Sequence, residues 1–293
     1  MKKTNYHTHT YRCGHAIGNE EDMVRAAINK EYDILGFSEH VPYPKYRKHI
    51  LKNLPKTFLD PHSFVTATHQ FICDGPNMRM PYKTKNDHED KVKELKEKYK
   101  NKIDIYQGYE CEYFEEYLPY FQHLLDTNEV DYLILGNHFD KCNLANKYYG
   151  HEGLSNKEID DYVEDIHNAF RTHLFSYLAH PDLFLLGRDK IDDYCIQAMD
   201  KICKLSLEYD VPLELNAGGI RRGVRNKEGM ITYPYTSHIM FRLAGNYQNK
   251  VIIGIDAHNP KDFNDTDYRV LLNYIKKYNL NLVDEIKYKK GNK

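Results

Sequence analysis

Seven short runs rich in β-branched and aromatic residues recur along this chain, and most of them end on a side chain that can bind a metal. The runs are "TNYHTHT", "DILGFSEH", "IDIYQGYEC", "DYLILGNHF", "FSYLAHP", "VPLELNAG" and "VIIGIDAH". Each has the length of a strand, and between several of them lie stretches with helical period. The clearest, 158–173, puts Ile159, Tyr162, Val163, Ile166, Ala169 and Phe170 on one face; others are 20–31, 191–209 and 266–278. Strands alternating with helices predict a mostly parallel sheet in an α/β protein, and seven such units suit a closed or nearly closed barrel better than a short open sheet.

The stretch from Val41 to Lys102 breaks this rhythm. It begins with proline-rich pieces ("VPYPKY", "NLPKTFLDP") and ends in the charged helix candidate "NDHEDKVKELKEKYKNK". It reads as an insertion at about 41–102 over the active face of a single domain spanning 1–293, with no Gly/Ser linker to set it apart.

A parallel barrel brings the C-terminal ends of its strands to one face, where active sites lie. The residues delivered there are His7 and His9, Glu39 and His40, Glu110 and Glu112, His138, His180, and Asp256 with His258. In an extended strand, residues i and i+2 point the same way, so His7 and His9 can chelate one cation, as can Asp256 and His258. One such pair is weak evidence. Five strands in agreement are strong evidence, because a buried cluster of imidazoles and carboxylates is costly to desolvate unless a cation neutralises it.

Composition narrows the partners. Lysine plus arginine total 41 against 43 acidic residues, a net charge of −2 that calls for neither nucleic acid nor an anionic membrane. No run approaches the ~20 apolar residues of a membrane span, and the N-terminus turns polar where a signal peptide would be apolar, so a cytoplasmic protein is expected. The six cysteines form no CxxC pair and read as reduced thiols, mostly in the core.

Taken in order, "HTH", "CGH", "SEH", "GYE", "GNH", "AHPD" and "GIDAH" resemble the motifs of the PHP (polymerase and histidinol phosphatase) superfamily, and within it the monofunctional L-histidinol-phosphate phosphatases. The resemblance runs from His7 to His258. It implies a distorted (β/α)7 TIM-like barrel and three divalent metal ions, zinc first, with iron or manganese as alternatives. It assigns His7, His9, Glu110 and Asp256 to the first ion; Glu110 as a bridge, with His138 and His180, to the second; and His15, His40 and His258 to the third. Glu110, Asp256 and His258 would carry the catalytic centre. By strand geometry alone, Glu110 and Glu112 could both face inward.

The implied reaction is hydrolysis of L-histidinol phosphate, a small-molecule phosphate ester, in histidine biosynthesis. Cations acidify a bound water and take up charge on the phosphoryl oxygens. Arg188 in "LLGRD" and Arg221 and Arg222 in "NAGGIRRG" are candidate phosphate contacts, since a guanidinium offers a planar fork and Gly218-Gly219 allows close backbone approach. Glu39 and Glu112 are candidate contacts for the amino group or imidazole of the substrate, and Glu39 alternatively holds a ligand histidine. Rival readings are a phosphoesterase for another small ester, a nuclease, and a metal-binding protein without turnover.

Overall fold

The computed structural model describes residues 2–48, 51, 64–65, 68, 71–72, 78–140 and 147–288. Its framework is a curled, parallel sheet with helices on the outside, a mixed α/β architecture. Strands β1 (Thr4–Asn5), β2 (Ile34–His40), β3 (Asp104–Cys111) and β4 (Tyr132–Leu135) lie side by side in that order. Strands β5 (Leu213–Asn216), β8 (Lys250–Gly254) and β9 (Asn281–Leu282) form a second run, and β6 (Arg225–Lys227) pairs with β7 (Met230–Thr232) as an antiparallel hairpin. Single parallel bridges join Leu135 to Leu178, Leu178 to Leu213, and Thr8 to Ala257.

The helices form where amphipathic periodicity meets a cap. Helix α1 (Glu20–Asn29) starts at a capping box between Asn19 and Asp22, and α4 (Asn156–Arg171) at one between Ser155 and Glu158. Between them lie α2 (Lys85–Tyr99) and α3 (Leu118–Asp126), with α5 (Asp193–Glu208), α6 (Ala217–Arg221), α7 (His238–Tyr247) and α8 (Asp265–Tyr278) following. The helices expected at 20–31, 158–173, 191–209 and 266–278 stand within two or three residues of α1, α4, α5 and α8. Of the stretch 41–102, residues 85–99 are α2, which returns the chain from β2 to β3 and buries Val92 and Leu95. Much of the rest of that stretch lies outside the described residues.

Alternate residues of the strands face two different cores. Leu35, Phe37, Ile105, Leu133, Leu135, Leu213, Leu215, Val251 and Ile253 pack outward against the helices. Tyr6, Ile34, Tyr132, Ile134, Tyr177, Ala179 and Ile252 pack together on the inner face. Tyr132 centres this inner layer. Its hydroxyl donates toward the carbonyls of Tyr6 (2.7 Å) and Phe37 (2.9 Å), and its ring lies over Gly108, where an added Cβ would come within 2.5–2.7 Å of three ring carbons. Ile34 and Tyr132 enter this layer from the first residues of β2 and β4, while Tyr6 and Ala179 stand immediately before His7 and His180.

Several elements depart from the sequence reading: the run "FSYLAHP" forms no strand and is tied to its neighbours only by single bridges at Leu178, and β9 is an unexpected addition. The first run yields only a two-residue strand, because Asn5 turns its side chain onto the chain ahead: Oδ1 accepts from His7 N (3.2 Å) and Nδ2 donates to His7 O (3.1 Å) and Thr8 Oγ1 (2.8 Å). The hairpin β6–β7 carries no strong apolar alternation and was not anticipated. Cys13, Cys111, Cys195 and Cys203 are free and buried, while Cys73 and Cys142 lie outside the described residues. No helix among the described residues is long and apolar enough to cross a membrane.

Because Tyr132 has no space to retreat, Gly108→Ala is expected to destabilise the fold by about 1–3 kcal/mol through overpacking. Chemical denaturation of the variant beside the parent chain measures this.

Candidate functional site

The strand ends bring one carboxylate to the middle of a ring of imidazoles. Glu110, on β3 in register with His40 on β2, is 1 % exposed. Its Oε2 is faced by His40 Nδ1 at 3.0 Å and by His7 and His9 Nε2, both at 3.4 Å. Its Oε1 is faced by His180 Nε2 at 3.0 Å and His138 Nε2 at 3.5 Å. The two oxygens therefore divide the histidines into two sets. Gly136 leaves the room for this, since a Cβ there would fall 2.5 Å from Glu110 Oε1.

Asp256 completes the first set, its Oδ1 lying 3.5 Å from His7 Nε2 and 3.6 Å from His9 Nε2. Both Asp256 (φ 50°) and His180 (φ 29°) have left-handed backbone, which redirects their side chains at the strand ends. Arg221 stabilises the turn at Asp256 by donating from Nη1 to Ile255 O (2.8 Å) and from Nη2 to Asp256 O (2.5 Å).

At the outer rim, His15 Nδ1 lies 3.2 Å from Cys13 O and His258 Nδ1 lies 3.1 Å from Asp256 O. A carbonyl only accepts, so both Nδ1 atoms carry the proton and both Nε2 atoms present lone pairs. Those two Nε2 atoms are 2.9 Å apart. Two lone pairs so close repel each other unless a positive charge lies between them. The same logic applies deeper in, where His7 Nε2, His9 Nε2, both His40 nitrogens and Glu110 Oε2 are buried without a hydrogen-bond partner. Among the described residues, groups such as His7–His9–Asp256, His7–Glu110–His180 and His9–His40–His258 each present donor atoms within 4.8 Å of one another. Imidazole and carboxylate donors so arranged fit a divalent cation.

Charge in the cluster is strongly coupled. Burial alone would lower the pKa of His7, but Glu214, Asp256 and Glu110 outweigh it and raise it well above normal. Burial opposes the charge of His9 too, yet the nearby carboxylates of Glu110 and Glu39 push its pKa up to about 9. His258 goes the other way, down to about 3, through burial and the neighbouring His9, despite Asp256. Glu110 is held well below the carboxylate range by its imidazoles, led by His138, against the opposing effect of burial. The inner site thus demands positive charge near Glu110 and Asp256, while the rim keeps bare nitrogen donors.

A cavity of about 320 Å³ opens over this cluster, bordered by His15, His40, His138, His180, His258, Glu110 and Asp256. Arg222 faces it, its guanidinium 5.7 Å from the centre of the Tyr235 ring, and Tyr148 lines it with a phenol pushed to about 12 by burial. Arg221 borders the cavity while gripping the backbone. Arg188 does not line it, because its guanidinium is held by Leu154 O (2.7 Å) and Asp192 (2.8 Å).

Glu39 and Glu112 are fully buried and do not line the cavity either. Glu39 Oε1 accepts from Thr10 N (2.6 Å) and Thr10 Oγ1 (2.5 Å), and its Oε2 lies 3.8 Å from His9 Nδ1. Glu112 accepts from the backbone of His138 and Phe139, stands 3.1 Å from His138 Nδ1, and pairs with Arg79. Each glutamate stands behind a histidine, on the side away from the cavity. Sequence reasoning did not single out Arg79, Glu214, Tyr148 or Tyr235. Of these, Arg79 falls in the irregular stretch after β2, and Glu214 looks like one polar residue in an apolar run.

The PHP domain family profile matches residues 5–218, and the chain belongs to that family. A Deinococcus radiodurans protein described as a probable histidinol-phosphatase is 22% identical over 271 residues, covering 87% of this chain and 85% of that protein. Two crystal structures share the fold, each with a TM-score of 0.65. One, from Listeria monocytogenes and provisionally named histidinol phosphatase, is 18% identical and covers 91% of this chain and 99% of that one. The other is histidinol phosphate phosphatase from Lactococcus lactis complexed with zinc, L-histidinol and phosphate, 15% identical and covering 99% of both chains.

Arg79 is buried, and its pairing with Glu112 places two charges out of water. Arg79→Met would leave the Glu112 carboxylate short of its counter-charge, and a loss of about 3–5 kcal/mol in unfolding free energy is expected. Denaturant titration of the metal-free chain is the measurement.

Proposed function

We propose that this chain is a metal-dependent phosphomonoesterase that hydrolyses L-histidinol phosphate to L-histidinol and inorganic phosphate in histidine biosynthesis. The observation that carries the reading is Glu110, whose two oxygens face separate sets of imidazoles in a cavity that also holds Arg222. The zinc, L-histidinol and phosphate bound by the Lactococcus neighbour support the choice of metal and substrate.

In this reading the chain holds three divalent ions, zinc for preference. His7, His9, Glu110 and Asp256 hold the first; Glu110, His138 and His180 the second; His15, His40 and His258 the third. Cations bound there supply Lewis-acid charge for the phosphoryl oxygens and lower the pKa of water. Glu110, Asp256 and His258 position the reacting centre. Arg222 binds the phosphate by a charged fork, and Arg221 fixes the Asp256 turn from which one ligand projects. Glu39 and Glu112 orient His9 and His138 from behind, in place of the substrate contacts expected from sequence. Arg188, tied to Asp192, would need to change partners to reach phosphate.

The finer architecture belongs to the same proposal. The staves of a distorted (β/α)7 barrel would be β1, β2, β3, β4, the extended segment through Leu178, β5 and β8. Residues 1–293 form one domain, and much of the insertion expected at about 41–102 lies outside the described residues. The protein works in the cytoplasm on a small ester and not on nucleic acid, in keeping with its net charge of −2.

Phosphate release from a panel of monoesters, with L-histidinol phosphate included, tests the substrate; the expected result is a clear preference for that ester, lost on chelation and restored by zinc or manganese. Elemental analysis of metal-loaded protein should give more than one ion per chain. Glu110→Gln removes the charge shared by both sets and should lower metal content and reduce turnover by orders of magnitude. Arg222→Ala should leave metal content intact and weaken catalysis by about 1.5–3 kcal/mol for each charged hydrogen bond lost.

A further inference from the structure

Glu214 lies on β5 between Leu213 and Leu215, which pack outward, so its side chain points inward beneath the cation cluster. It is 0 % exposed. A carboxylate there needs all its lone pairs met, and the hydrogen bonds it accepts tie it to separate parts of the site. Oε1 is 2.8 Å from His7 Nδ1, Oε2 accepts from His180 N at 3.0 Å, and Oε2 also accepts from Asn216 Nδ2 at 2.7 Å.

Each contact fixes something the site uses. A carboxylate has no proton to give, so His7 must carry hydrogen on Nδ1, and the other nitrogen, Nε2, is the one aimed at Glu110 and Asp256. His180 has left-handed backbone, a conformation a non-glycine residue keeps only when its surroundings hold it there. Glu214 accepts that residue's N–H. Asn216, gripped by the same carboxylate, stands 3.4 Å from Asp256 Oδ2. The space for all this comes from β8, where Gly254 pairs with Asn216; a Cβ on Gly254 would lie 1.7 Å from Glu214 Oε1.

We propose that Glu214 is the positioning residue of the cation site: it sets the ring orientation and tautomer of His7 and holds the His180 turn, so that ligands from different strands meet at one place. Gly254 is its obligatory partner, conserving the volume the carboxylate occupies. The inference rests on His7, His180 and Asp256 being cation ligands, and it adds that their preorganisation is set by a residue that touches neither cation nor substrate.

The test uses the full chain with zinc as the probe, through competition with a chromogenic chelator, and nitrogen NMR of histidine-labelled protein saturated with zinc, in which the His7 resonances are assigned by their loss in His7→Gln. Glu214→Gln preserves shape but supplies a single oxygen, so its amide N–H₂ must face either His7 Nδ1–H or His180 N–H. The expected result is zinc affinity lower by about 10–100-fold with changed His7 ring signals, and a Gly254→Ala chain should show the same loss with Glu214 intact. Parental affinity and unaltered His7 signals in Glu214→Gln would overturn the proposal while leaving the metal reading standing. A parent chain that binds no zinc would overturn both. Should the glutamine chain fail to fold, Glu214→Asp, which keeps the charge but withdraws it by a methylene, takes its place with the same two outcomes.

Discussion

The arrangement depends on one buried negative charge. A carboxylate as deep as Glu110 is tolerated only where positive charge or many donors surround it, and the fold meets that demand by ending strand after strand on an imidazole directed at it. The glycine at position 136 and the left-handed turn at His180 answer the same demand, while the turn at Asp256 adds a second carboxylate that the imidazoles also balance. Removing the carboxylate would leave the imidazoles crowded around nothing they could share.

Behind this inner ring stands a second layer of carboxylates. Glu39, Glu112 and Glu214 each face the far nitrogen of a histidine, at 3.8, 3.1 and 2.8 Å. The outer histidines, His15 and His258, use backbone carbonyls for the same purpose. Charged acceptors thus stand behind three of the buried rings and neutral acceptors behind the rim, which agrees with the higher proton affinity of His7 and His9 and the bare Nε2 of His258.

The sequence was most legible where chemistry and periodicity coincide. His7, His40, Glu110, His138, His180 and Asp256 stand at the ends of apolar runs, so position and residue type both pointed to them, and helices with strong caps fell where their pattern placed them. Parity was less informative. Glu110 and Glu112 are two apart and both could face inward, but β3 ends at Cys111, and beyond it the backbone N–H groups of His138 and Phe139 turn Glu112 away from the cavity. Arg79 could not be found from spacing, because its role depends on a tertiary contact made from an irregular stretch. Glu214 was hidden for another reason: a single polar residue inside an apolar strand gives no sign of which partner satisfies it.

The tyrosine layer around Tyr132 has a consequence for traffic. Tyr6, Tyr132 and Tyr177 fill the interior immediately below the site, so whatever enters the cavity must leave by the same mouth. On the phosphatase reading the two products would then depart in sequence. The organic alcohol, held by the outer walls, would go first, and the phosphate, lodged against Glu110's ring and Arg222, would go last. A chamber closed at its base by aromatic rings would thus set the order in which its contents depart.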